Sequence, residues 1–413
     1  MTPLTPKQRM LNAYRGLPVD TVPVAPEFWV YYPAKLLGVD MIQFAREVPF
    51  HMALKQTFEA FACEGWGVTF PAMPNEHVTG SSQERWISDT RLEVHSETRT
   101  PAGTLTSASL LDREEPGWPL ERPLKDFARD LPAYEIMSLP DPELMQVEGM
   151  IQAWDEVGES YLLEAWLGVP FFDFYGSGRE GGMEQAIFDL FEHETELEAL
   201  REKHLAHMVH KTRLLCERTP CESFAIGCSW SCNSLLGPRL WRRWDKPVIR
   251  AVAEEVHRHG RLLHVHFHGK CLETVADFAE IGLDCVCPFE RPPGGDVEGL
   301  AGLREVRRRL ACGAGLADGT SAACTPPSVV EDERPGGVRA PALQPLCTMN
   351  GNIHTVETLI RGTPEDVRRE VREVCEAFRG TNRVIVGTGD QVGRETPEEN
   401  LRAMIDEARR CGG

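Results

Sequence analysis

Residues 247–290 read "PVIRAVAEEVHRHGRLLHVHFHGKCLETVADFAEIGLDCVCPFE", and this stretch sets the rhythm of the chain. Apolar residues recur at helical spacing up to Gly260, a short apolar strand follows, a second helical run stops at Gly282, and "LDCVCPFE" is a strand again. Glycine suits both stops because the residue that ends a helix adopts a left-handed conformation. In the strand that starts at Arg261, successive side chains point to opposite faces. His264, His266 and His268 therefore share one face, and Leu263, Val265 and Phe267 take the other. One histidine there is explained by bonds to backbone and water. Several on one face raise a metal site at the end of a buried strand.

Outward from this stretch the alternation continues. "SYLLEAWLG" from Ser160, "ESFAIGCSW" from Glu222, "PLCTMNGNI" and "NRVIVGTGD" read as further strands, while "DVEGLAGLREVRRRL" and "TPEENLRAMIDEARR" read as helices. Thr396, Pro397 and Glu399 form the expected start of the last helix. Near the N-terminus, Thr5, Pro6 and Gln8 start a helix that ends near Gly16, and "DTVPVAPEFW" and "GWGVTFPA" are the first two strands. Eight strand candidates alternating with helices predict one α/β domain over residues 1–413, a (β/α)8 barrel with its site at the C-terminal strand ends. Residues 83–111 alternate around a Pro-Ala-Gly turn and predict a β-hairpin appendage. Residues 311–344, before the seventh strand, are rich in glycine, alanine and proline without any period. They read as a disordered surface insertion or as a stretch altered by a gene-model error.

The chain has 413 residues, 42% of them hydrophobic, which is enough for a large core, and a net charge of -19. That charge argues against nucleic acid, whose binding is driven by basic residues releasing counterions, and favours a small-molecule substrate. No signal core is present, and no uncharged apolar run reaches the roughly 18 to 20 residues that span a bilayer, so a cytoplasmic protein is expected. The 13 cysteines are odd in number and include no CxxC pair, which predicts reduced thiols such as Cys228 and Cys232 in the core.

Four segments in order, "HVHFHGKC", "LDCVCPFERPPGGDVEGL", "NGNIHTVETLIRGTPEDVRREV" and "VIVGTGDQVGRETPEENLRAMIDEAR", resemble the uroporphyrinogen decarboxylase superfamily, from about Ser160 to the end. The resemblance implies a (β/α)8 barrel and one of two chemistries. One branch decarboxylates a tetrapyrrole without a cofactor, using an N-terminal "RQAGR" segment; the region here reads "VPVAPEFWVYYPAK", which argues against that reaction. The other comprises zinc-dependent methyltransferases serving corrinoid proteins, with an HxC pair after the fifth strand, an acidic residue after the sixth and a cysteine after the eighth. Carried onto this sequence, the resemblance implies the ligands His266, His268, Glu290 and Asp390, a set without sulfur. Such a set suits zinc and several other divalent ions. Read alone, Asp390 would cap a helix and Glu290 would pair with Arg291. His264, one pleat deeper, fits a supporting or core role.

Glu27 and Trp29 after the first strand, Glu164 and Trp166 after the third, Trp230 after the fourth, and Asn352 and His354 after the seventh are candidates to line a substrate pocket. The leading expectation is metal-dependent methyl transfer or demethylation, with zinc as the first-choice ion, on a small methylated compound or a corrinoid protein that brings its own corrinoid. The rivals are a cofactor-free decarboxylase, a metal-dependent hydrolase and a non-catalytic corrinoid or tetrapyrrole binder.

Overall fold

The computed structural model describes residues 3–312 and 345–411. Apart from its first two residues, at the end of the helix Gly299–Cys312, the expected insertion at 311–344 lies outside the described residues. Among them, twelve strands occur in chain order: β1 (Val24–Ala25), β2 (Trp66–Thr69), β3 (Thr79–Trp86), β4 (Arg91–Thr100), β5 (Gly103–Asp112), β6 (Trp118–Glu121), β7 (Leu162–Gly168), β8 (Ser223–Cys228), β9 (Leu262–Phe267), β10 (Cys285–Pro288), β11 (Thr348–Ile353) and β12 (Val384–Thr388). Eight of them pair in parallel in the order β1-β12-β11-β10-β9-β8-β7-β2 and curl into the (β/α)8 barrel expected from the sequence. The first strand is far shorter than the stretch "DTVPVAPEFW". Pro23 and Pro26 flank its two residues, and proline has no N–H to give to a ladder.

Strand faces follow the alternation. Leu263, Val265 and Phe267 of β9 belong to the large outer core beneath the surrounding helices. That core also takes Val248, Ile249, Val252, Ala253 and Val256 from the helix Lys246–Arg258, and Val367, Val371 and Val374 from Pro364–Ala377. A second cluster fills the barrel itself with Ala25, Trp66, Val68, Leu162, Ala225, Leu262, Cys285, Cys287 and Ile385. Its floor is the helix Pro6–Arg15, which contributes Met10, Leu11, Ala13 and Tyr14. The helix starts with the expected capping box of Thr5 and Gln8 and stops at left-handed Gly16. Its last carbonyls bond the barrel bottom: Thr348 Oγ1 donates to Ala13 O at 2.7 Å and Arg383 Nη1 to Tyr14 O at 2.8 Å.

Two sequence expectations change. The hairpin at 83–111 is the centre of a larger antiparallel sheet, β3-β4-β5-β6, in which β4 and β5 turn at Pro101 and Ala102 and exposed edge strands extend it on both sides. The edge β3 is largely polar and lacks the hydrophobic alternation that marked the hairpin, and β6 is only four residues long. The last helix begins at Glu398, and Thr396, expected as its cap, is buried with its hydroxyl unpartnered. Eleven of the cysteines are free thiols, and Cys228 and Cys232 are buried as expected. Among the described residues no helix is long and apolar enough to cross a membrane.

Candidate metal centre

In the parallel ladder between β9 and β10, His264 lies beside Cys285 and His266 beside Cys287. Inward side chains of neighbouring strands meet at such a register, and Cys287 Sγ is 3.0 Å from both His264 Nε2 and His266 Nδ1. Glu27 reaches the same point from two residues beyond β1, with Oε2 3.7 Å from His266 Nδ1. Its backbone is fixed from both sides: Glu27 N donates to Thr388 Oγ1 at 3.0 Å, and Glu27 O accepts from Val392 N at 2.7 Å. The result is one carboxylate oxygen, one imidazole nitrogen and one sulfur, all within 4.8 Å of one another.

The polar network continues to both sides. Inward, His264 Nδ1 meets Glu164 Oε2 at 2.8 Å, and Ser223 Oγ donates to Glu164 Oε1 at 2.5 Å. Outward, His266 Nε2 lies 2.6 Å from His268 Nε2, and His268 Nδ1 lies 2.8 Å from Glu290 Oε1. Burial lowers the basicity of His268, but its bond to Glu290 and the charges of Asp390, Glu27 and Glu290 outweigh that and push it up to about 9. Burial, with His268 and His264 alongside, holds His266 well below the usual histidine range. A doubly protonated His268 donates through both nitrogens. His266 Nε2 then accepts and its Nδ1–H points at Cys287, a proton assignment made from the bonding pattern.

Burial and neighbouring negative charge also act on the acids. Glu27 is pushed up to about 8 by burial and by Asp390 and Glu290, with His268 opposing. Burial, then Glu27, raises Cys287 well above an ordinary thiol, and burial raises Asp390. Glu27 and Cys287, held toward their protonated forms so close together, are what a cation would reverse, since a bound divalent ion favours carboxylate and thiolate. The spacing suits one as well. Donors around a tetrahedral zinc stand roughly 3.4–3.6 Å apart from the usual bond lengths, against the 3.0 and 3.7 Å found here. The residues present fit a divalent ion.

The four ligands implied by the resemblance do not all converge. His266 is in the triad; His268 and Glu290 pair with each other in the next ring outward, and Glu290 also accepts from Gly269 N at 2.8 Å. Arg291 turns instead to Glu373, at 2.8 Å. Asp390 accepts from Gln391 N at 2.6 Å and borders, with Glu290 and His354, a cavity of about 270 Å³. His354 uses both ring nitrogens, accepting at Nδ1 from Val356 N and Glu357 N and donating at Nε2 to Pro292 O. Asn352 is buried and donates to Val297 O at 2.9 Å. Trp66 stands 5.8 Å from His266 and walls the triad, and Trp29 packs behind it with ring centres 5.6 Å apart. Trp230 lies to one side, its backbone N–H donating to Asp173 and its ring under Arg122. Glu164 is fully buried, its carboxylate held by His264 and Ser223. Cys287 was read from sequence only as part of a strand. The signal that finds it is the parallel register, which sets the penultimate residue of β10 beside His266, the second histidine of β9.

A family model described as "Uroporphyrinogen decarboxylase (URO-D)" matches residues 174–411. The chain belongs to the URO-D family. No curated protein matches it. Among solved structures, a methyltransferase from Methanosarcina mazei superposes with a TM-score of 0.63 at 13% identity, covering 98% of this chain and 99% of that one. At that identity the likeness is one of fold. For a URO-D barrel, the triad lies where (β/α)8 enzymes carry their sites, at the C-terminal ends of the strands.

Proposed function

We propose that this URO-D family protein is a metal-dependent methyltransferase that holds one divalent ion, zinc in the first instance, between Glu27, His266 and Cys287. The observation that carries the reading is the convergence of an oxygen, a nitrogen and a sulfur donor within 4.8 Å in a buried, acid-rich barrel mouth. A carboxylate and a thiolate neutralise a divalent charge, and three protein ligands leave a position for substrate, as catalytic rather than structural zinc sites do. Bound there, the ion supplies the Lewis acidity that converts a thiol or alcohol acceptor to its anion at neutral pH.

The protein's own residues do the rest. Trp66, backed by Trp29, screens the triad from water on one side. Glu290 fixes the ring of His268, which in turn fixes His266. The cavity bordered by Glu290 and Asp390, outward of the triad, is where a small methylated compound, or the methyl group presented by a corrinoid protein, would enter toward the acceptor. In the transfer, the acceptor's electron pair forms the new bond to the methyl carbon, and the donor leaves with the pair of the old one. The structural relative named a methyltransferase favours this reading over decarboxylation.

Metal analysis of protein purified without added metal tests it, together with a methylcobalamin-to-thiol transfer assay. About one divalent ion per chain and methyl transfer are expected, with transfer lost and metal affinity lowered, though still measurable with added zinc, in Cys287→Ala and His266→Ala. A metal-free parent with full transfer activity would contradict the proposal.

A further inference from the structure

The innermost part of the network has no role in the reading above. Ser223, Glu164, His264 and Cys287 come one each from β8, β7, β9 and β10, four neighbouring strands, and their polar atoms form one chain at 2.5, 2.8 and 3.0 Å. Glu164 and His264 are both 0% exposed, so neither touches substrate. A carboxylate and an imidazole in a barrel interior are poor choices for packing alone, since an apolar pair of that volume carries no desolvation cost. The His264 ring also has little freedom: Trp66 stands edge-on at 4.6 Å, Tyr14 tilts over it at 5.7 Å, and Glu164 holds Nδ1. The remaining nitrogen, Nε2, is thereby aimed at the sulfur of Cys287.

We infer that Glu164 and His264 are a buried positioning pair that fixes the Cys287 sulfur where it can share a cation with Glu27 and His266. The inference rests on the metal-site reading and deepens it. Ser223 anchors Glu164, Glu164 sets the orientation of the imidazole, and the imidazole restricts the directions in which the sulfur can turn. The pair thus does from the barrel interior what carboxylate partners of metal-bound histidines do elsewhere, with the cysteine as the oriented ligand.

A double-mutant cycle with zinc as the probe tests this, using competition against a chromophoric chelator for affinity and the near-ultraviolet sulfur-to-cobalt band of the cobalt-loaded protein as a signature of the sulfur. Glu164→Gln and His264→Phe are each expected to lower zinc affinity by about 10–100-fold and to weaken the band. In a Cys287→Ala background the same substitutions are expected to change affinity by no more than about 2-fold, because their effect passes through the sulfur. If His264→Phe does not fold, Glu164→Gln carries the test. Equal losses in both backgrounds, or parent-like affinity in the single variants, would overturn the inference while leaving the metal centre standing. A parent that binds neither zinc nor cobalt would overturn the metal reading and this inference with it.

Discussion

Cys287 and Asp390 mark the difference between what the residues imply singly and what they do together. Asp390 stands where the resemblance implies a ligand, yet its carboxylate meets the backbone of Gln391 and the cavity. Cys287 has its sulfur 3.0 Å from His266. Asp390→Ala is therefore expected to keep zinc affinity within the about 10–100-fold range that an outer partner costs, and Glu27→Ala to lose more than that, as a direct ligand should; chelator competition checks both. The histidine face was legible because a period of two is written in one strand. Cys287 was not, because its partner depends on register between two strands, and register is set by how the whole sheet packs. Glu27 was legible as a mouth residue, but its approach to His266 required the short β1 and the bonds from Thr388 and Val392.

Helices were legible wherever capping and periodicity agreed. Thr5 and Gln8 make the box that the sequence announces, and Thr5→Ala is expected to cost about 1 kcal/mol in urea unfolding. The helix Glu194–Arg218 carries a different prediction. Its His204 is stacked on Phe174 and bonded to Val169 O; burial pushes it down to about 3, with His207 and Lys211 acting in the same direction and the Val169 bond opposing. His207, bonded to Pro140 O, is pushed down to about 4, by burial first and by Lys211 and His210, with Pro140 O and Asp141 opposing. Both are favoured neutral in the fold and titrate near 6.5 when unfolded. Their contribution is complete above about pH 6.5 and is lost as pH falls toward 4 and then 3. Asp173 and Asp245, raised mainly by burial to about 6 and about 7, act with the opposite sign, since protonation on acidification relieves their buried charge. The decisive reading is thus a difference between proteins. Between about pH 7 and 4.5 the melting temperature of the parent should fall further than that of His207→Gln; equal falls would contradict it.

At the scale of the molecule, alternating apolar strands and helices were enough to specify the barrel, because each strand buries one face under the helices and the other inside. The seam at β1 was less legible, since prolines shorten a strand without removing it, and so was the extent of the β3–β6 sheet, whose edge strands are exposed, one largely polar and the other only four residues long. The two apolar clusters are built entirely from the chain. Chelation is therefore expected to lower the melting temperature by mass action alone, RT ln(1 + [L]/Kd), and to leave the far-ultraviolet circular dichroism of the apo protein unchanged. Collapse of the spectrum would show that the ion holds the barrel together. The most direct test of the centre itself is X-ray absorption at the zinc edge of the loaded protein. A single sulfur at about 2.3 Å with nitrogen and oxygen neighbours at about 2.0–2.2 Å is expected, the sulfur disappearing in Cys287→Ala. A shell without sulfur in the parent protein would contradict the assignment of Glu27, His266 and Cys287.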